Sequence, residues 1–191
     1  MKKAFLVLTV AMVSAIGISS FTVSGTENNL TTYTVLSDYS KVEWVGTKKT
    51  GYHTGAFAVK SGEVKFDGDK LAGGKFVIDL TSLKLIGEQN EKFEGHLKSK
   101  DFFETSVFSE ATFEISDVEY VSDKDVKISG SLNLKGIAVP VSFPAVIRNA
   151  DDKRFFAQAF FSIDRTLWGI NYGLGNVAKD VQISVYLFAN K

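Results

Sequence analysis

Residues 125–143 read DVKISGSLNLKGIAVPVSF. Apolar side chains fall at every second position: Val126, Ile128, Leu132 and Leu134, with Gly130 in phase between them, then Ile137, Val139, Val141 and Phe143. Alternation of this kind is the mark of a β-strand with one face buried and one wet. The same period recurs along the chain. KVEWVG gives Val42 and Trp44, EVKFDG gives Val64 and Phe66, and GKFVIDL gives Phe76, Ile78 and Leu80. ATFEI gives Phe113 and Ile115, FFAQAFFSI gives Phe155, Ala157, Ala159, Phe161 and Ile163, and DVQISVYLF gives Val181, Ile183, Val185 and Leu187. Turn-forming clusters such as KSGE, DGDK, SDKD and NADDK separate the runs. About eight to ten strands follow, mostly joined as short hairpins. One apolar face per strand fits an antiparallel sheet, and both a sandwich and a closed barrel satisfy it. Small residues on the apolar face, namely Gly130, Ala157 and Ala159, leave room and lean toward a barrel with a cavity.

The chain has 191 residues, 45% hydrophobic and 13% aromatic, with a formal net charge of zero. That balance argues against a nucleic-acid partner held by bulk charge. No linker, repeat or low-complexity tract interrupts the sequence from Tyr33 onward, so a single domain is expected over residues 33–190. Cysteine is absent, which rules out thiol chemistry, iron–sulfur clusters and Cys-ligated zinc. Residues 1–24 carry the pattern of a secretory signal: Lys2 and Lys3, an apolar run from Ala4 to Ile18, then small residues with Thr22 and Ser24 at the cleavage positions. An exported, periplasmic or secreted protein is the expectation.

One passage breaks the alternation. In residues 88–104 Asn90 is placed to cap a short helix running to about Leu97, with Phe93 and Leu97 on one face. SKDFFE is expected to form a second turn capped by Ser99. A short helical insert in an all-β chain covers one end of a barrel or sandwich. Phe93, Leu97, Phe102 and Phe103 would then turn inward.

Several phrases line up in order: GYHTGAF, GGKFVIDLTSL, GHLKSKDFFE, ATFEI, GSLNLKGIAVPVSF and IDRTLWGINYG. Together they resemble the YceI-like, polyisoprenoid-binding family of exported bacterial proteins, over about Tyr33 to Asn190. The resemblance implies an all-β fold, an extended antiparallel lipocalin-like β-barrel of about eight strands with the short helical cap. It also implies an apolar tunnel holding a polyisoprenoid lipid or isoprenoid quinone. Ser109 departs from the family habit of a proline before the ATFEI strand, which touches only the local turn. A true lipocalin fits less well, because Trp44 precedes Gly46 instead of following a glycine.

The candidate sites start from the two histidines, His53 and His96. A zinc or iron site needs three or four ligands. Carboxylates such as Asp79 or Asp101 could join the pair, but neither histidine sits in an HxxxH or ExxH pattern. No metal ligand is therefore assigned. Both lie beside glycines, where an imidazole could hydrogen-bond a neighbouring carbonyl or line a cavity mouth. There is no GxSxG elbow around a serine, and GLGN at 173–176 lacks the setting of a phosphate loop, so no catalytic residue is assigned.

The aromatic residues carry the stronger signal. Trp44, Phe57, Phe66, Phe76, Phe113, Phe143 and Phe161, with Ile78, Ile128 and Leu132, fall on apolar strand faces, and Phe102 and Phe103 on the cap. They serve either as plain core or as the lining of a tunnel for a greasy chain. Arg165, Asp164 and His96 are candidates for a polar mouth, with a structural Asp164–Arg165 pair as the alternative. Trp168 either plugs a barrel end or stacks on a ring headgroup. The function expected is a binding or carrier protein for an isoprenoid lipid or quinone, with no catalytic cofactor. A hydrolase or isomerase using His53 or His96 on a lipid-like substrate, and a ligand-free stress or interaction protein, are the alternatives. Phe156, Phe160, Tyr186 and Phe188 face the other way and point to a homodimer or a second sheet contact; a transient membrane contact is also expected.

Overall fold

The structure, a computed structural model, describes residues 30–191. The signal reading of residues 1–24 lies outside the described residues. Nine strands make up most of the rest. They are β1 (Thr31–Val35), β2 (Lys41–Lys48), β3 (Gly51–Asp67), β4 (Lys70–Leu85), β5 (Glu110–Tyr120), β6 (Asp125–Leu134), β7 (Ile137–Ala150), β8 (Arg154–Asp164) and β9 (Val177–Asn190). A helix α1 (Glu91–Lys98) lies between β4 and β5, and a 3-10 helix (Arg165–Trp168) between β8 and β9.

Every pairing between the named strands is antiparallel, and the sheet closes on itself: β2 pairs with both β3 and β9, and β3 also pairs with β4. Strands β2 to β9 form an eight-position ring. The ninth strand adds no position. β1 takes over from β2 in the slot between β3 and β9, with Tyr33 opposite Val64 and Val35 opposite Ala189. β3 and β4 run 17 and 16 residues, which makes the barrel elongated. Their pairing shifts register at three places, and such bulges bend the long ribbon into the barrel wall.

Residues 125–143 form the β6–β7 hairpin. Leu134 pairs with Ile137 across a two-residue turn in which Lys135 and Gly136 both have positive φ (52° and 73°). That is the turn geometry whose twist matches the flanking strands. The register puts Gly130 opposite Val141 and Ile128 opposite Phe143, so the apolar set of both strands faces one side. Ile137, assigned to that face, is instead exposed, because it sits at the turn where the barrel wall ends.

The inward residues divide into two clusters. One, with Tyr33, Val64, Phe66, Leu71, Val126, Ile147 and Phe155, fills the end reached by β1. The other, with Trp44, Phe57, Leu83, Leu97, Phe102, Leu134 and Trp168, lies beneath α1 and the 3-10 helix. Asn90 caps α1 as expected, its Oδ1 accepting from the Phe93 amide at 3.0 Å. Ser99 closes the helix, donating to the His96 carbonyl at 2.7 Å, and opens the next turn by accepting from the Asp101 amide. Lys135 Nζ donates to the Phe102 carbonyl at 2.7 Å and ties the cap to the β6–β7 turn. Among the described residues no helix is long and apolar enough to cross a membrane.

The 3-10 helix was not among the expected elements. Asp164 Oδ1 accepts from the Thr166 amide (2.9 Å) and hydroxyl (2.6 Å), and Gly169 ends the turn at φ 71°. An Asp before the turn and a Gly after it are the usual start and stop signals. A single turn is too short for periodicity to reveal.

Candidate ligand cavity

The barrel encloses a cavity of about 500 Å³, within the range of roughly 300–1,000 Å³ common to small-molecule sites. Its wall is predominantly apolar. Trp44, Phe57, Phe76, Ile78, Phe113, Ile128, Leu132, Phe143 and Phe161 line it from the strands, and His96, Phe102 and Phe103 from the cap. Two of the aromatic sequence candidates do not reach it, nor does Asp164. Phe66 lies against Tyr33 (ring centroids 5.3 Å apart) and Phe155 (5.5 Å), and it is Phe155 that faces the cavity. Trp168 is fully buried with its Nε1 donating to the Leu132 carbonyl at 3.0 Å; it plugs the capped end and does not offer its ring to a headgroup.

Glycines shape the wall, but not by leaving space. A side chain at Gly130 would strike the ring of Phe113 and the carbonyl of Glu114, so the room is filled by the aromatic from the next strand. Phe113 lies across this gap and reaches Phe143 on β7 (5.5 Å). Phe143 stacks on Phe161 of β8 (4.1 Å, 5°), and Phe76 of β4 stands 6.4 Å from Phe113 on the other side. An aromatic band therefore crosses from β4 to β8. Trp44 covers Gly55, its partner across β2 and β3, in the same way. Ala157 and Ala159 do line the cavity and leave room in it, as expected of small inward residues.

Several polar groups at the cavity are engaged by protein partners. His53 Nδ1 stands 2.6 Å from Glu88 Oε1, and its ring lies 4.3 Å from that of Phe93. His96 Nε2 stands 3.1 Å from Asp101 Oδ2, with Tyr172 and Phe102 edge-on around it (4.6 and 5.2 Å). The carbonyl partners expected for both rings are thus replaced by carboxylates, one just before α1 and one just after it. Both imidazoles line the cavity. No group of three metal-binding side chains occurs among the described residues.

Arg165 departs most from expectation. Its side chain is buried, and it donates to the carbonyls of Ala178 (2.8 Å), Ile170 (2.5 Å), Tyr172 (2.8 Å) and Val177 (3.4 Å). No pair with Asp164 forms. Asp164 holds the 3-10 turn and lies 3.7 Å from Lys179, and its carboxyl is lowered chiefly by the hydrogen bonds from Thr166. Burial lowers the Arg165 pKa, yet a guanidinium stays charged. The charge thus ties the segment after the 3-10 helix to the first residues of β9. Part of the guanidinium's surroundings still borders the cavity.

The sequence reading missed Ile170 and Tyr172 of that segment, and Val177 and Ala178 at the start of β9, which also line the cavity. Nothing in their spacing marks them. It also left Val59, Leu71, Val181 and Ile183 out of the site, although their alternation or their apolar character was visible.

A YceI-like domain model matches residues 33–189, nearly all of the described chain. The chain belongs to the YceI-like family. Its relatives include UPF0312 proteins of Shewanella baltica and Shewanella oneidensis. These are 28% and 27% identical over 139 residues, covering 70% of this chain and 72% of each relative. Among solved structures, this YceI-like chain is similar to BcnA of Burkholderia cenocepacia. The TM-score is 0.71 and the identity 26%, over 81% of this chain and 99% of BcnA. A polyisoprenoid-binding domain from Saccharophagus degradans shares the fold at a TM-score of 0.66 and 19% identity, over 83% of this chain and 97% of that domain. The Campylobacter jejuni YceI protein does so at 0.57 and 17%, over 76% and 84%.

Proposed function

We propose that this YceI-like barrel is an exported, non-catalytic carrier that holds a polyisoprenoid lipid or an isoprenoid quinone in its cavity. The observation that carries the reading is the cavity itself, an apolar space of about 500 Å³ with a helical cap at one end. Burial of apolar surface stabilises a complex by about 25 cal/mol per Å², so a long hydrocarbon tail needs no polar contact to be held. The polyisoprenoid-binding domain of the same fold and the N-terminal signal pattern support the ligand class and a periplasmic location. The outer aromatic pairs on β8 and β9, Phe156–Phe188 and Phe160–Tyr186, support a contact with a second copy or with a membrane during transfer.

Titration with a prenylquinone tests the reading. Saturable binding at one site per chain is expected, abolished when the cavity is filled by a larger side chain. Absence of saturable binding would refute it.

A further inference from the structure

Polar and apolar residues are unevenly placed around the cavity. Thr47, Lys48, His53, His96, Tyr172 and Asn176 border it at the capped end, beside Arg165. Away from that end, Gln158 alone of the polar residues borders it among the described residues, and its Oε1 accepts from Arg148 Nε at 2.9 Å. A polar group carried into the apolar end would lose its water without gaining a partner. A ligand with a polar head and an apolar tail is therefore held with its head at the cap and its tail directed toward the end reached by β1.

That apolar end has a floor. On four strands the lining stops before the strand does. Val64 borders the cavity on β3 and Phe66 does not; the same holds for Ile128 and Val126 on β6, Ala145 and Ile147 on β7, and Leu187 and Ala189 on β9. The four residues beyond the lining are buried. On β8 the lining ends at Phe155, which is 3% exposed. Its ring meets that of Phe66 edge-on at 5.5 Å, and Phe66 rests on Tyr33 at 5.3 Å. Tyr33 Oη donates to the Asp151 carbonyl at 2.7 Å, which ties the outermost ring to the β7–β8 turn. Three rings in series thus close the barrel behind the cavity, and of the three Phe155 borders the open space.

The depth above this floor is finite. From Phe155 to Ile163 the lining of β8 runs about 27 Å along the strand at about 3.4 Å per residue. That is about 20 Å along a barrel axis to which the strands tilt by about 40°. Each isoprene unit that enters buries more apolar surface, whereas the first that does not fit must be compressed or left in water.

We propose that Phe155 is the floor against which the free end of the prenyl tail stops, so that it sets the longest tail the barrel accepts. This rests on the carrier reading above and adds a chain-length limit to it.

An equimolar mixture of prenylquinones that share one headgroup and differ in the number of isoprene units tests the limit on the full chain. Native mass spectrometry reads which lengths are retained. The wild type should show an upper edge, with tails beyond it retained at least about tenfold less than the best-bound length. Phe155→Ala, which opens the space in front of Phe66, should move the edge to longer tails. Ala157→Leu, at the next inward position on β8, should raise the floor and move the edge to shorter ones. On the unaltered protein, nuclear Overhauser contacts of the terminal methyls of the longest retained tail should fall on the Phe155 ring and not on Phe102 or Phe103 of the cap. If Phe155→Ala does not fold, Ala157→Leu and the Overhauser contacts decide. Retention without an upper edge, an edge that neither variant moves, or terminal methyls against the cap would overturn the floor and leave the carrier reading standing. Retention of no prenylquinone of any length would overturn the carrier reading itself, and the floor with it.

Discussion

The ring of Phe113 on β5 lies across the α-carbon of Gly130 on β6, close enough that no side chain fits at Gly130. From there it reaches Phe143 on β7. The glycine is thus the floor on which the aromatic band of the cavity rests. Gly130→Val should destabilise the barrel by about 1–3 kcal/mol through overpacking. Thermal denaturation would show it, and pairing it with Phe113→Leu should recover part of the loss.

Arg165 holds the segment that follows the 3-10 helix through four backbone carbonyls. Arg165→Met would leave buried acceptors unpaired and should cost about 3 kcal/mol or more. Arg165→Lys should recover little, because an ammonium cannot span acceptors fixed in the plane of a guanidinium. Denaturant unfolding of both variants checks this; wild-type stability in either would refute the assignment.

Ala159 is buried and borders the cavity. Ala159→Leu should fill part of that space and weaken prenylquinone binding at least about tenfold without lowering the melting temperature, since the added side chain enters a void. Loss of binding together with loss of stability would mean that the site is ordinary core.

Each histidine is paired with a carboxylate that belongs to the cap region. His53→Ala and His96→Ala should change ligand affinity by less than about fivefold, the scale of partly exposed ion-pair or hydrogen-bond contacts. If the protein instead turns over a lipid-like substrate with one of them as acid or base, that variant would lose about 10²–10⁴ in rate.

The acid limb of stability should carry the mark of Asp151 in the β7–β8 turn. Hydrogen bonds from the Asn149 side chain and the amides of Lys153 and Arg154 lower its pKa to about 2 from 3.8. A depressed carboxyl pKa favours the folded state fully above about pH 4, and the contribution fades as pH falls toward 2. Asp151→Asn should reduce stability at neutral pH and flatten its pH dependence between about pH 4 and 2. Melting temperatures of both proteins across that interval would show parallel curves if the assignment were wrong.

Much of this was legible in residues 125–143, because period-two alternation reports directly which side of a strand is buried. The inward sets of β6, β8 and β9 were read correctly from it, as was the cap from the Asn90 signal. Closure was less accessible. The continuation of β2 by β1, and the return of β9 to β2, depend on pairings more than a hundred residues apart that leave no local pattern. The site shows the same division. Alternation placed the aromatic band, but Phe66 and Trp168 face the same interior and are taken up by packing at the two ends. Gly130 appeared to promise space, whereas the neighbouring strand's Phe113 occupies it. Arg165 looked like a mouth residue because two of the backbone carbonyls it serves lie in a segment without regular structure and the other two at the far start of β9.

The central claim is that the barrel carries an isoprenoid. Native mass spectrometry of the protein purified from its own host, followed by organic extraction and lipid analysis, tests it most directly. One apolar, prenylated molecule per chain is the predicted result, lost in Ala159→Leu. A ligand-free mass with no isoprenoid in the extract would contradict it.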